Sequence, residues 1–208
     1  MKLNNYDLFM IEQVLPEIKN ALQKEDRILR KRFANLDESC EKFYADEIKS
    51  IASYNLTERT LQYIIFKELC PNFKILPEDS AYAKSNERLD LSIYKNIVDR
   101  ELYAEIGIEL KRVNLTKKGL FTSKSLDKII EDFDKIKKVG NKNKYLLMTT
   151  TFDQKNLNMD ELEEQIIEVF DNRKFKKYRL CHIDYQYFKT KFDNDKTDFV
   201  IMLWKLIE

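Results

Sequence analysis

Two stretches near the middle of the chain alternate between apolar and polar residues, a pattern typical of half-buried β-strands. The first runs from Arg88 to Tyr94 and the second from Tyr103 to Lys111. Because successive side chains of a strand point to opposite faces, we expect Asp90 on the face opposite the leucines of its strand, and Glu109 and Lys111 on the corresponding face of theirs. The apolar positions are Leu89, Leu91 and Ile93 in the first stretch, and Ala104, Ile106, Ile108 and Leu110 in the second.

Apolar residues at three- and four-residue steps predict helices before these strands. Residues 6 to about 54 form one helical region. Pro16 interrupts it and either kinks one helix or starts a second, because proline lacks a backbone donor and crowds the preceding turn. A further helix is predicted to begin at an Asn55 N-cap, with Glu58 at the capping-box position. Glu58 and Gln62 fall on the stripe of that helix that faces the sheet, so Glu58 either looks into a site or only caps the helix.

The rest of the chain alternates between predicted helices and strands. A helix that starts at Ser123 or Ser125 and stops at Gly140 separates the strand 103–111 from a buried strand at Tyr145–Thr149. We therefore expect these two strands to be parallel, as in a βαβ unit. The last predicted elements are a helix capped by Asn158 and strands at Tyr178–Tyr185 and Phe199–Ile207, and the apolar run of the second strand also permits a helix.

The order of these elements predicts an α/β fold with a central mixed β-sheet flanked by helices. The chain has 208 residues, of which 43% are hydrophobic, enough for one domain with its own core. We predict an N-terminal helical extension over residues 1–54 and an α/β core over residues 55–208. Only three glycines and three prolines occur, which leaves no room for a Pro/Gly-rich linker.

The charged residues of the two central strands need a reason, because acids and lysine are poor strand formers. Side chains opposite each other on neighbouring strands lie about 5 Å apart at Cβ, so Asp90 and Glu109 would repel each other unless a cation lay between them. Their carboxylates and the backbone carbonyl of Leu110 are oxygen ligands, which favour Mg²⁺ or Mn²⁺ over zinc. Lys111 lies about 6 to 7 Å beyond Glu109 on the same face, where we expect it to meet solvent and to reach oxygens bound to that cation.

The order of these residues resembles the signature of the PD-(D/E)XK nuclease superfamily, which has the restriction-endonuclease-like fold. That signature is an Asp followed on the next strand by Glu-x-Lys, and the matching residues are Asp90, Glu109, Leu110 and Lys111. The proline that precedes the Asp in the family is replaced here by Leu89, a position that does no chemistry.

The resemblance covers residues 55 to about 185. It implies metal-dependent hydrolysis of phosphodiester bonds, most directly by a DNA endonuclease of a restriction or other anti-phage defence system. It also implies an additional acid on the first core helix, where Glu58 is the matching position. The implied catalytic residues are Asp90, Glu109, Lys111 and Glu58, and the implied metal ligands are Asp90, Glu109 and the carbonyl of Leu110.

Basic residues follow the second central strand. Arg112 is the first of them, and Lys117 and Lys118 lie in the loop that leaves the expected active edge. Such a loop could clamp a phosphate backbone, with a solvated loop as the alternative. These three residues and Gln62 are the predicted nucleic-acid contacts.

Several other interpretations are open. Asp90, Glu109 and Lys111 could form an exposed salt-bridged patch on a half-solvated sheet. The chain could be a binding module that keeps a nuclease-like fold and acts by association, or a ribonuclease or structure-specific nuclease of the same fold. The apolar stripe of the N-terminal helices also suggests a homodimer.

Charge and cysteine content narrow the class of protein. The net charge is +1, from 37 basic and 36 acidic residues, which counts against a protein that merely coats nucleic acid. His182 is the only histidine, so serine–histidine hydrolysis lacks its base unless that residue serves, and multi-histidine metal sites lack their ligands. Cys40, Cys70 and Cys181 are widely spaced, as expected of free thiols in a reducing cytoplasm.

No apolar run reaches membrane-spanning length, so we expect a soluble cytoplasmic protein without a membrane partner.

Overall fold

The computed structural model describes residues 3–33, 57–79, 88–94, 104–114, 121–138, 143–153, 159–171, 178–189 and 196–206. It confirms the predicted α/β class, with a six-stranded mixed sheet flanked by helices. In chain order the elements are α1 (Asn5–Phe9), a π-helical segment (Met10–Val14), α2 (Leu15–Phe33), α3 (Glu58–Leu69), β1 (Lys74–Asp79), β2 (Leu89–Tyr94), β3 (Ala104–Asn114), α4 (Ser123–Lys137), β4 (Asn143–Asp153), α5 (Met159–Asp171), β5 (Tyr178–Lys189) and β6 (Lys196–Leu206).

The strands are arranged in the order β1-β2-β3-β4-β6-β5. Strands β3 and β4 are parallel, as the predicted βαβ unit requires, and all other neighbours are antiparallel. Strand β1 is an edge strand and contains Pro77, which is tolerated there because an edge strand does not need every backbone donor.

Helices cover both faces of the sheet. One face packs against the helical region from α1 to α3, and the other packs against α4 and α5. The alternation predicted for β2 and β3 is present, because their leucines and isoleucines point into the first of these cores. That core includes Leu91, Ile93, Ile106, Ile108 and Leu110 from the two strands, and Val14, Leu15, Ile18, Leu22, Leu61 and Ile65 from the helices.

The N-terminal helical region runs without a break past Pro16, the second residue of α2. A π-helical turn precedes it, in which the Leu15 N–H donates to the Met10 carbonyl. Proline crowds the carbonyl four residues before it, and the wider π turn moves that carbonyl away from the ring. Of the two outcomes left open for Pro16, the structure therefore shows a local distortion within a continuous helical path.

The predicted starts of two helices were wrong by one to three residues. Helix α3 is capped by Thr57, whose Oγ1 accepts from the Thr60 N–H at 3.1 Å, and not by Asn55, which lies outside the described residues. Helix α4 is capped in the same way by Thr122, not by Ser123 or Ser125. In both cases the threonine is the last extended residue, so its side chain reaches the first free N–H groups of the helix.

A buried carboxylate attaches the N-terminal helix to the sheet. Asp7 is fully buried and accepts hydrogen bonds from the Tyr145 hydroxyl at 2.8 Å and from Arg179 at 2.6 Å. Lys205 of the last strand donates to Oδ1, the oxygen that Tyr145 also binds, at 2.8 Å. The segment from Asp7 to Leu22 is therefore packed into the domain core by both apolar and ionic contacts.

Two further features bear on the environment of the protein. Cys70 and Cys181 are free thiols. Among the helices that the structure describes, none combines the length and the apolar character needed to cross a lipid bilayer.

Candidate functional site

The hydrogen-bonded ladder between β2 and β3 ends before the two strands do. Its last paired positions on this side are Leu91 and Ile108. One residue further on, the Asp90 carboxylate accepts from the Leu110 N–H at 2.7 Å, and Gln62 of α3 donates to the Asp90 carbonyl at 2.7 Å. Side chains thus replace the strand-to-strand bonds here, and the two strands part.

Asp90 and Glu109 are the next residues of β2 and β3 beyond the last paired positions, Leu91 and Ile108. Glu109 is buried, with 6% of its surface exposed, and Asp90 is half-buried. Glu109 is aligned with Leu146 of β4, which packs beneath α4. The carboxylate of Glu109 therefore belongs to the face of the sheet that α4 covers.

Lys111 is held between two carboxylates that come from opposite layers of the fold. Its Nζ lies 3.3 Å from Glu58 Oε1 on α3 and 2.5 Å from Asp132 Oδ2 on α4. Burial lowers the pKa of Lys111, but the Asp132 and Glu58 carboxylates outweigh it and the pKa is raised, so the amine is protonated at neutral pH. The predicted exposure of this lysine to solvent was wrong: only 13% of the side chain is exposed, because α4 covers this part of β3.

Asp132 is a site residue that the sequence analysis missed. It lies on the buried stripe of α4, between Ile129 and Ile136, and its Oδ1 accepts from Lys135 at 3.2 Å. The sequence did contain a signal, since a carboxylate on the apolar stripe of an amphipathic helix is destabilising unless it is paired. Its partner on β3 could be found only from the tertiary structure.

Glu58 contacts β3 and not its own helix. Its Oε1 accepts from the Arg112 N–H at 3.2 Å and pairs with Lys111. Because Thr57 supplies the cap of α3, Glu58 is free of that role. Its side chain is 45% exposed, which places it at the solvent edge of the site.

Of the four predicted nucleic-acid contacts, the structure describes two, Gln62 and Arg112. Gln62 is buried, and its amide supports the backbone of Asp90 within the fold. Arg112 is half-buried and lies beside a cleft. Lys117 and Lys118 lie outside the described residues.

A cleft of about 370 Å³ opens between the end of β3 and the first turns of α4. Four of its described lining residues are basic and none of them is acidic. Lys124 and Lys128, one helical turn apart on α4, were not singled out from the sequence. The described lining residues are Lys111, Arg112, Val113, Thr122, Lys124, Ser125 and Lys128.

A larger cavity of about 680 Å³ lies at the opposite end of the β2–β3 pair and contains none of the predicted site residues. Glu105 lines it, and its carboxylate accepts from the Tyr6 hydroxyl at 3.0 Å. The smaller cleft is therefore the one that adjoins the candidate chemistry.

The oxygen donors between β2 and β3 suit a hard divalent cation. Asp90 accepts the Leu110 N–H through Oδ2. The carbonyl of Leu110 faces β2 as well, because the N–H and C=O of one residue point to the same neighbour in an antiparallel ladder. Within the described part of the chain, no three His, Cys, Asp or Glu side chains come together. Asp90, Glu109 and the Leu110 carbonyl would thus hold Mg²⁺ or Mn²⁺ together with water or substrate oxygens, as is usual for Mg²⁺.

Comparison with known proteins found no matching family model and no matching curated protein. The geometry of this site is therefore the basis on which a function can be assigned.

Proposed function

We propose that this protein is a metal-dependent nuclease that hydrolyses phosphodiester bonds in nucleic acid, with DNA as its substrate and Mg²⁺ or Mn²⁺ as its cofactor. The observation that supports the proposal is that Asp90 and Glu109 adjoin the last β2–β3 pair, with a protonated Lys111 two residues further along β3. This arrangement resembles the site of the PD-(D/E)XK nucleases, in which the same residue types occupy two neighbouring strands.

A phosphodiester resists hydrolysis because its negative charge repels the nucleophile and its alkoxide leaving group is poor. A divalent cation held by Asp90, Glu109 and the Leu110 carbonyl supplies charge neutralisation and a more acidic bound water. Lys111 cannot act as a general base, because its raised pKa keeps it protonated. Its role is to stabilise the negative charge that develops on the phosphate in the transition state.

The basic cleft beside Lys111 is the proposed path of the nucleic-acid backbone. Arg112, Lys124 and Lys128 provide cations along it, and neutralisation of phosphates by such side chains dominates the affinity of proteins for nucleic acid. Lys117 and Lys118, which come between β3 and α4 in the chain, remain proposed nucleic-acid contacts. Contacts of this kind bind any phosphate backbone, so cleavage assays must decide between DNA and RNA.

A non-catalytic binding module is a second candidate, favoured by the absence of a third metal-ligating side chain within the described residues. Asp90, Gln62 and Glu58 all bind backbone groups where β2 and β3 part, a structural role that needs no metal. An exposed salt-bridged patch is a poorer description, because Glu109 and Lys111 are largely covered.

We also propose a cytoplasmic location, which the free thiols of Cys70 and Cys181 support. A homodimer would allow both strands of a duplex to be cut. The apolar stripe that suggested it, including Leu15, Ile18 and Leu22, packs on the protein's own sheet, so a dimer would need another surface. The mass in solution by light scattering tests this proposal.

The nuclease proposal is tested by incubating the purified protein with plasmid, linear duplex, single-stranded DNA and RNA, in Mg²⁺, Mn²⁺ or EDTA. We expect cleavage of DNA that EDTA abolishes and that Asp90→Asn and Glu109→Gln each remove. Glu105→Gln is the matched control, since it changes an acid at the far end of the same strand. Metal-independent binding without cleavage would favour the binding module, and cleavage of RNA alone would favour a ribonuclease.

A further inference from the structure

Asp132 occupies an unusual position for a carboxylate. It lies on the side of α4 that packs against the sheet, beside Phe133 and one turn from Ile129 and Ile136, all of which are buried. Only 4% of Asp132 is exposed. A charged group there destabilises the fold unless its partners compensate for the loss of hydration. The groups that the two carboxylate oxygens bind therefore indicate the role of Asp132.

The two carboxylate oxygens bind different lysines. Oδ2 lies 2.5 Å from Lys111 Nζ, and Oδ1 lies 3.2 Å from Lys135 Nζ. Burial lowers the pKa of Lys135, but the Asp132 and Glu109 carboxylates outweigh it and the pKa is raised. Acids and amines therefore alternate through the site in the order Glu58, Lys111, Asp132, Lys135 and Glu109.

Asp132, more than Glu58, fixes the position of the Lys111 amine. The Glu58 contact is longer, at 3.3 Å, and its side chain is 45% exposed, so water weakens it. The Asp132 side chain is 6% exposed and its contact is the shorter of the two. Lysine has a flexible four-carbon stem, and a buried ion pair removes that freedom before any substrate arrives.

We infer that Asp132 is a positioning residue that holds the Lys111 ammonium where negative charge develops during phosphodiester hydrolysis. The inference rests on the proposed nuclease function. Asp132 is not among the residues that line the cleft beside Lys111, so it acts through the lysine and not on the substrate. Among the described residues, Glu58 and Asp132 form ion pairs with the ammonium, which carries three N–H groups and can also donate to a substrate oxygen.

Kinetics of Asp132 variants test the inference. We expect Asp132→Asn to lower kcat by about 100-fold with little change in KM, because a misplaced catalytic group slows the reaction without weakening substrate binding. Asp132→Glu should restore part of the rate, since it retains the charge. Asp134→Asn, on the exposed side of the same helix and paired with Lys137, is the matched control and should be active.

A double variant separates positioning from mere stability. If Asp132 acts through Lys111, then Lys111→Met combined with Asp132→Asn should be no slower than Lys111→Met alone. Multiplicative losses in the double variant would overturn the inference, as would a wild-type kcat in Asp132→Asn.

Side-chain order provides a readout that does not depend on activity. In protein labelled with ¹³C-lysine, the Lys111 Cε signal is identified by its loss in Lys111→Arg. We expect its order parameter to fall in Asp132→Asn and to be unchanged in Asp134→Asn. If Asp132→Asn does not fold, the comparison is made with Asp132→Glu, for which an intermediate order and an intermediate kcat are expected and wild-type values of both would contradict the inference.

The two proposals fail in different ways. If the wild-type protein does not cleave nucleic acid and Asp132 still orders Lys111, the nuclease proposal is wrong. The pair of Asp132 and Lys111 then has no catalytic role. Cleavage that is insensitive to Asp132→Asn would leave the nuclease function intact and remove only the positioning role.

Discussion

Asp7 and Lys205 are 198 residues apart in the chain, and Oδ1 of one lies 2.8 Å from Nζ of the other. This ion pair joins the first helix to the last strand. Because the side chain of Asp7 is 1% exposed and that of Lys205 is 12% exposed, water screens the pair weakly. The N-terminal segment is thus held by a buried network that also includes Tyr145 and Arg179.

We predict that Asp7→Asn destabilises the protein at neutral pH by about 3 kcal/mol, because it leaves two partly buried cations without their anion. Burial raises the pKa of Asp7, but its bonds to Lys205, Asn4 and Tyr145 outweigh this and the pKa is lowered. A lowered pKa stabilises the folded state above the unfolded value of about 3.9, and this contribution is lost as the pH falls through the folded pKa. The difference in unfolding free energy between wild type and variant should therefore shrink below about pH 4.

Urea unfolding from pH 3 to pH 7 measures this difference. Glu12→Gln, at an exposed position of the same helical segment, is the control and should show no comparable pH dependence. A pH-independent effect of Asp7→Asn would mean that the charge of Asp7 is not what stabilises the fold.

Leu15→Ala is predicted to reduce the free energy of unfolding by about 2–5 kcal/mol, because Leu15 lies in the core shared with the sheet and its loss leaves a cavity. Leu8→Ala, at a position that is 38% exposed on the preceding helix, should cost much less. Equal effects of the two substitutions, measured by chemical denaturation, would contradict the packing of the N-terminal helices on the core.

Millimolar Mg²⁺ or Mn²⁺ is predicted to raise the melting temperature, because a ligand that binds only the folded state stabilises it. At about 100 times the Kd the gain is about 2.7 kcal/mol, equivalent to roughly 5–10 °C for a chain of this size. Asp90→Asn should abolish the shift and Asp134→Asn should retain it. Identical wild-type melting curves in metal and in EDTA, followed by scanning fluorimetry, would count against the metal site.

Lys111→Met is predicted to lower kcat by about 10²–10³-fold, the usual effect of losing one preorganised electrostatic contact. Substrate affinity should change little. In contrast to a solvent-facing lysine, Lys111 also stabilises the fold, and its loss should cost about 1–3 kcal/mol because Asp132 is left with a single partner. Cleavage and thermal melting of the same sample check both effects, and an unchanged kcat would exclude the catalytic role.

Lys128→Ala is predicted to weaken nucleic-acid binding at low salt and to reduce the slope of log K against log salt by about 0.9, the value for one lost phosphate contact on duplex DNA. Lys138→Ala, an exposed lysine at the other end of α4, is the matched control. Fluorescence anisotropy over a salt series measures the affinity and the slope for each variant. Equal slopes for the two variants would contradict the proposed binding path along the cleft.

The period of the hydrophobic pattern was sufficient to predict the class of fold and the central strands. Alternating residues identified β2 and β3 and placed Leu91, Ile93 and Ile108 in the core, because side chains on one face of a strand repeat every second residue. The parallel pairing of β3 with β4 followed from the intervening helix α4. Helix starts were less accurate, since several neighbouring hydroxyl residues could each serve as a cap and only the backbone path selects Thr57 and Thr122.

The candidate site could be predicted only in part from the sequence, and the tertiary structure was needed for the rest. The sequence alone could name Asp90, Glu109 and Lys111, because strand alternation is a local property and register follows from it. It could not supply Asp132 or Arg179, whose partners come from elements distant in the chain, nor show that α4 buries the face that carries Lys111. Whether a charged side chain is solvated or paired is decided by which elements pack over it, and that is a property of the tertiary structure.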